Sequence, residues 1–216
     1  MRKPTALLVI VSFCMTMLSF GQQKTNLATA LQEQQIKAVN RTLSIYEKQP
    51  EAVEMNAAEG DGLGILKEIA FETGTIEVDL LGENSPGRSF IGIAFNIQDE
   101  ETFEAIYFRP FNFVATEQAR KDHMVQYVNH PEYTWYKLRE ERTMEFENEI
   151  PAPPDPDDWF KAIIKVSEKH VAVFMDEDAE PVLKVERLTG YKSDKIGLWV
   201  GNGSSGRFRN LEVLAD

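Results

Sequence analysis

An all-β sandwich or barrel is the fold class predicted for this 216-residue chain, and three observations predict it. From about Leu43 onward, short apolar runs recur between clusters of Gly, Pro, Asn, Asp and Ser. Several of those runs alternate apolar and polar residues with period two, the pattern of a strand with one buried face. The length suits one sandwich domain, and neither an internal repeat nor a low-complexity tract beyond one proline-rich loop divides it.

The chain begins with a leader. Arg2 and Lys3 precede an almost wholly apolar run, Ala6 to Met17, and Ser19 and Gly21 supply the small residues of a cleavage site. Cleavage is expected after Gly21, giving a soluble product that is secreted or periplasmic. The apolar run is too short for a comfortable membrane span, and no later stretch approaches the needed length. Cys14 is the single cysteine and lies in the leader behind Phe13, which argues against lipidation. The mature chain then has no thiol for disulfides, thiolate metal sites or nucleophilic catalysis. Residues 22–42 read as a polar N-terminal segment, a loose tether or a short helix, with the sandwich domain over 43–216.

The strands follow in order. In Thr75 to Leu81, Ile76, Val78 and Leu80 share one face and Glu77 and Asp79 the other. GENSPG over 82–87 is a turn. In Phe90 to Ile97, Ile91, Ile93, Phe95 and Ile97 form the core face, while Gly92, Ala94 and Asn96 leave room above the sheet. Glu104 to Arg109 buries Ile106 and Phe108 and turns Ala105, Tyr107 and Arg109 outward, with Pro110 ending the strand. Thr116 to His123 is a charged excursion with one helical turn, Met124 to Val128 returns as strand, and His130 to Leu138 reads as a loop carrying Trp135. IPAPPDPDD over 150–158, with four prolines, is an extended surface loop. Trp159 to Val166, His170 to Met175, Pro181 to Val185, Ile196 to Val200 and Phe208 to Leu214 complete the β pattern. In Ile196 to Val200, Gly197, Trp199 and Gly201 lie opposite the core face.

The formal charge of −12 becomes −14 once the two basic leader residues are removed. Such a surface repels polyphosphates, so nucleic acid is not an expected partner. Anionic polysaccharide is disfavoured by the same argument, and neutral carbohydrate is the expected partner. Oligomeric state is left open.

The ordered segments TGTIEVDLLG, FIGIAFNI, EAIYFRPFNF, VQYVNHPEYTWYKLR, WFKAIIKV, KHVAVFMDEDAEPVLKVERL and KIGLWVGNGSSGRFRNLEV resemble the concanavalin-A-like jelly rolls, in the laminin-G-like or 3-keto-disaccharide-hydrolase-like branch. The resemblance covers about Leu43 to Ala215. It implies a two-sheet antiparallel jelly-roll sandwich, an exported bacterial protein, and sugars bound on the concave sheet. The E-x-D-x-x-E strand of the retaining glucanases in the same neighbourhood is absent, and neither DEDAE at 176–180 nor EFENE at 145–149 has its spacing.

Asn96, Tyr107, Arg109 and Trp199 fall on the non-core side of their strands, and Asn112, Gln126, His130 and Trp135 lie on flanking elements. Rings stack on the flat C–H faces of sugars, while amides and guanidinium pair with hydroxyls. These eight are the expected ligand-binding residues. The plain alternative is that they cover a second sheet, with Trp135 sunk as a loop anchor and His130 a turn residue before Pro131. Among the carboxylates near the centre of the sequence, nothing selects a catalytic pair. His130 or Glu132 is a candidate base for eliminative keto-sugar cleavage. His123, His130 and His170 lack metal-ligand spacing, so no metal or other cofactor is expected. Calcium at the acidic turn Asp176/Asp178 is the weaker alternative, set against a solvated hairpin. Three functions remain open: a carbohydrate-binding domain, a glycoside or 3-keto-glycoside hydrolase using the same groove, and a protein-binding adhesion module.

Overall fold

The computed structural model describes residues 23–216 except 177 and 189. The leader and its expected cleavage point lie outside the described residues. Among the described residues the strands pair antiparallel into two stacked sheets.

The first sheet contains β1 (Gln23–Thr25), β3 (Leu43–Ile45), β4 (Val53–Met55), β6 (Gly74–Leu81), β11 (Phe160–Val166), β12 (His170–Met175), β13 (Leu183–Glu186) and β15 (Gly206–Ala215). Its order is β13-β12-β11-β6-β15-β4-β3, with β1 paired to β15. The second contains β2 (Ile36–Val39), β5 (Gly62–Ala70), β7 (Ile91–Phe95), β8 (Phe103–Phe108), β9 (Val125–His130), β10 (Glu147–Asn148) and β14 (Lys195–Val200), in the order β10-β9-β8-β7-β14-β5-β2. Sequentially distant strands therefore meet, as a jelly roll requires. The Cys-free core is built from the alternating faces foreseen above: Ile76, Val78, Leu80, Ile91, Ile93, Ile106, Phe108, Phe160, Ala162, Ile164, Ile196 and Leu198 are all buried. Between the sheets Phe160 meets Phe108 and Phe113 edge-on at 5.2 and 5.4 Å, a favoured quadrupole arrangement.

Two expectations change. The segment before residue 43 holds the short helix that was one of its two expected forms, but it is built into the sandwich rather than tethered to it. β1 pairs with β15, β2 edges the second sheet, and helix α1 (Leu27–Gln32) buries Leu27 and Ala30. Asn26 caps that helix by accepting from the Thr29 amide at 3.0 Å. Likewise, 130–138 is only partly loop. Thr134 caps helix α3 (Trp135–Glu141), which drives Leu138 into the core and carries Arg139 in its last turn. The excursion over 116–123 holds the expected single turn, α2 (Gln118–Lys121).

A buried ionic cluster ties the sheets together. Glu104 on β8 points inward, fully buried. Arg187 grips it with two bonds, Nε to Oε1 at 3.0 Å and Nη2 to Oε2 at 2.5 Å. Tyr127 donates to Oε1 at 2.6 Å, and its oxygen accepts from the Leu188 amide at 3.0 Å. The charge is thus paired and its lone pairs are occupied, the condition under which a buried carboxylate is tolerated.

Gly92 has a different use from the one expected. A Cβ there would lie 2.0 Å from the Ile106 carbonyl oxygen and 2.7 Å from the Tyr107 Cα. Its missing side chain accommodates the close approach of β8, not open space above the sheet.

Candidate functional site

The register of the second sheet assembles the site. Leu63, Trp199, Gly92, Tyr107, Gln126 and Glu147 form one continuous row of paired residues across β5, β14, β7, β8, β9 and β10. Because side chains alternate across a strand, this whole row shares the sheet's outer face. Above it opens a cleft of about 570 Å³, bounded by α2, α3 and the turns around 87–90 and 201–202.

The floor is aromatic. The Tyr107 and Trp199 rings lie 4.9 Å apart, and Phe90 meets Tyr107 and Phe111 edge-on at 6.1 and 5.5 Å. Arg109, only 5% exposed, lies beside them with its guanidinium 4.8 Å from the Tyr107 ring centre. It donates from Nη1 to the His123 carbonyl at 3.0 Å, and from Nη2 to the Tyr107 hydroxyl at 2.7 Å and to Gln126 Oε1. The Tyr107 hydroxyl itself donates to Gln126 Oε1 at 2.7 Å. Burial pushes the Tyr107 hydroxyl up to about 12, opposed by Arg109, so it remains a neutral phenol at ordinary pH.

Behind this layer stands Glu147. Arg139 holds it with two bonds, Nε to Oε1 at 3.0 Å and Nη2 to Oε2 at 2.7 Å. His123 Nδ1 lies 2.7 Å from Oε2 and Arg109 Nη1 3.7 Å from the same oxygen. One carboxylate thus anchors two arginines and a histidine. At the rim, Arg120 donates to Asn112 Oδ1 at 3.1 Å and to the Phe111 carbonyl at 2.7 Å, while Asn112 donates to the His123 carbonyl at 3.1 Å. Asp61, one residue before β5, faces His130 Nε2 at 3.8 Å, and the His130 ring stacks on Phe103 at 5.0 Å.

Of the eight residues expected from sequence, Tyr107, Arg109, Asn112, His130, Trp135 and Trp199 line this cleft. Tyr107 and Trp199 form its floor, at 3% and 4% exposure, and not an exposed rim. Trp135 is not sunk as an anchor. It opens α3 at 46% exposure, with the Arg139 guanidinium 5.2 Å from its ring. Gln126 sits fully buried beneath Tyr107 and Arg109, positioning both. Asn96 does not join them. It leaves the strand at φ 52°, and its side chain turns to Glu104 at 2.6 Å and the Ser193 amide at 2.6 Å. The sequence pattern did not point to Asp61, Phe90, Phe111, Arg120, Arg139 or Asn202, offered Glu147 only as one of several central carboxylates, and showed in His123 only an isolated histidine. Asp61 had a usable signal: GLGILKEIA continues its alternation, placing it in register with Leu63 and Ile65. Glu132, the other candidate base, is exposed and does not line the cleft.

Burial, outweighing the pull of the neighbouring carboxylates, holds the His123 and His130 imidazoles below their ordinary value. A histidine depressed in the fold contributes stability that is present above its unfolded value, about 6.5, and is lost as pH falls through its folded value. Burial raises Asp61, which acts in the opposite direction but only towards the carboxylate range. The urea midpoint is therefore expected to fall between pH 7.5 and 5.5, and His130→Asn to flatten that fall. An equal slope in the variant removes His130 from the effect.

Among the described residues, no three His, Cys, Asp or Glu side chains group as a metal site. Asp176 accepts from the Lys161 amide at 3.2 Å. No described helix is long and apolar enough to cross a membrane.

No family model and no curated protein matches the sequence. Solved structures do match the fold. A carbohydrate-binding module, CBM66, from Bacillus subtilis aligns at TM-score 0.56 and 14% identity, over 82% of this chain and 93% of that one. The exoplasmic/lumenal domain of VIP36, in its Ca2+/Man3GlcNAc-bound form, aligns at 0.54 and 11%, over 83% and 85%. A β-glucanase from Bacillus licheniformis aligns at 0.52 and 10%, over 94% and 95%. The chain has the concanavalin-A-like lectin/glucanase jelly-roll fold, all-β with two antiparallel sheets.

Proposed function

We propose that this chain is an exported carbohydrate-binding jelly-roll domain whose cleft on the second sheet receives a glycan. The observation that carries the proposal is the union, in one cleft of about 570 Å³, of the Trp199–Tyr107–Phe90 floor with the buried Arg109. Cavities of some 300–1,000 Å³ with apolar walls and a few placed polar groups are typical of small-ligand sites. The carbohydrate-binding module and the Man3GlcNAc-bound VIP36 domain among the fold's neighbours support the same direction. Tyr107, Arg109, Trp135 and Trp199 are the ligand-facing residues in this reading, with Gln126 holding the first two in place. The mixed polar and aromatic lining gives the adhesion-module alternative less support, since that needs a flat apolar patch.

A second reading, a glycoside or 3-keto-glycoside hydrolase, draws on Asp61 and His130, an acid and an imidazole 3.8 Å apart in the same cleft. Against a two-carboxylate mechanism, Glu147 is already engaged by Arg139 and His123 and does not line the cleft. The deciding experiment incubates the protein with a panel of glycans and 3-keto-glycosides, with and without chelator. Retention without released sugar, insensitive to chelator, is the expected result. Product lost in Asp61→Asn would establish the hydrolase, and neither retention nor product would remove both.

A further inference from the structure

The charge of the whole chain hides the charge of its cleft. The protein carries −12 overall, yet the cleft is lined by Arg109, Arg120 and Arg139 and by one carboxylate, Asp61. Asp61 lies within ion-pair distance of His130 and of none of these arginines. Glu147, behind the lining, is shared by Arg109 and Arg139. Arg120 has no carboxylate partner among the described residues. Its Nε and Nη2 bond only to neutral oxygens, those of Asn112 and Phe111, which fix the guanidinium at the rim without neutralising it.

Hydrogen-bonding capacity is skewed the same way. Several lining acceptors already hold a donor: Asn112 Oδ1 from Arg120, Asn202 Oδ1 from the Gly60 amide at 2.7 Å, and Thr134 Oγ1 from the Lys137 amide at 3.4 Å. Two side-chain donors lack a partner. Trp199 Nε1 at the floor and Gln126 Nε2 beneath it are buried and without a hydrogen-bond partner, in side chains 4% and 0% exposed. A neutral sugar, whose hydroxyls both donate and accept, fits such a surface less well than a group that only accepts. Planar guanidinium forks favour oxyanions for the same reason.

We infer that the ligand is an acidic saccharide, carrying a carboxylate or a sulfate ester, and that Arg120 selects the anionic group while the Trp199–Tyr107 floor takes an apolar face of the sugar. This rests on the cleft being a saccharide site. It departs from the neutral carbohydrate that net charge alone suggests, because net charge averages over surfaces a Debye length or more from the cleft.

Calorimetric titration of the full chain tests it with matched oligosaccharides: uronate-containing, the same chains with carboxyls reduced to alcohols, sulfated, and neutral. The expected result is tighter binding of an acidic member than of its uncharged counterpart by about tenfold or more, weakening as salt rises. Whether the uronate or the sulfated arm responds distinguishes the two sources of charge. Arg120→Gln should erase that preference, while Arg120→Lys retains part of it. Matched urea midpoints confirm that the variants fold. Equal affinity for charged and reduced chains, or an unchanged preference in Arg120→Gln, overturns the inference while leaving a saccharide site intact. Binding of inorganic sulfate or a simple carboxylate as tightly as any saccharide, with no sugar retained, overturns the saccharide reading itself.

Discussion

Replacing Glu104 with alanine is expected to cost about 3–5 kcal/mol, the range for removing one partner of a buried ion pair. The substitution leaves Arg187, whose side chain is 9% exposed, without its carboxylate. It also strips the acceptor from the Tyr127 hydroxyl and one of the acceptors of Asn96 Nδ2, which keeps the Tyr191 carbonyl at 3.2 Å. Burial and the Glu104 charge together raise Tyr127 far above the ordinary phenol range, so the hydroxyl remains a neutral donor in search of a partner. Tyr127→Phe, which removes one hydrogen bond to the same carboxylate and the acceptor of the Leu188 amide but leaves the ion pair intact, should cost only about 1–3 kcal/mol. Denaturant titration checks the order. A loss near 1 kcal/mol in Glu104→Ala would mean that water or a shifted side chain satisfies Arg187. A double replacement of Glu104 and Arg187 by apolar residues of similar volume should recover much of the loss, because neither charge is then left buried alone.

Trp199→Ala is expected to weaken glycan retention by about tenfold or more, equivalent to roughly 1.4 kcal/mol. The same change removes a ring that packs 4.9 Å from Tyr107, so a stability loss of about 3–5 kcal/mol accompanies it. Trp199→Phe separates the two effects. It keeps a ring on the floor but deletes the indole N–H, which has no partner in the structure. Affinity should fall in Trp199→Phe by less than in alanine while the denaturation midpoint stays close to that of the parent. Full retention by a folded Trp199→Ala would remove the indole from the site and leave Trp135 as the aromatic contact to test.

Much of this site was legible because strand alternation is local. Once Ile91, Ile93 and Phe95 are assigned inward, Gly92 must face out, and the same logic places Tyr107, Arg109 and Trp199 on the outer face. The logic fails where the backbone leaves the extended region. Asn96 has the right parity, but its positive φ rotates it towards Glu104 and Ser193. Parity also cannot name partners. It puts Glu104 on the core face without revealing Arg187, 83 residues away, which makes that position tolerable. Arg120, Arg139 and Asp61 come from two short helices and a strand start, brought together only by the folded sheet. Around Trp135 the proline and aromatic residues outweighed a helix signal that was present: a Thr cap followed by the good helix formers KLREE.

The pairing of β1 with β15 sets how the domain would be displayed. Gln23 lies opposite Val213, so the first described residues and the C-terminal residues run side by side in the first sheet. The cleft opens on the outer face of the other sheet. A linker, an immobilising tag or a fused domain joined directly at Gln23 or at the C-terminus would leave from the same border of the molecule. The cleft would then stay open to a bulky polymer even with the protein fixed to a surface by its terminus.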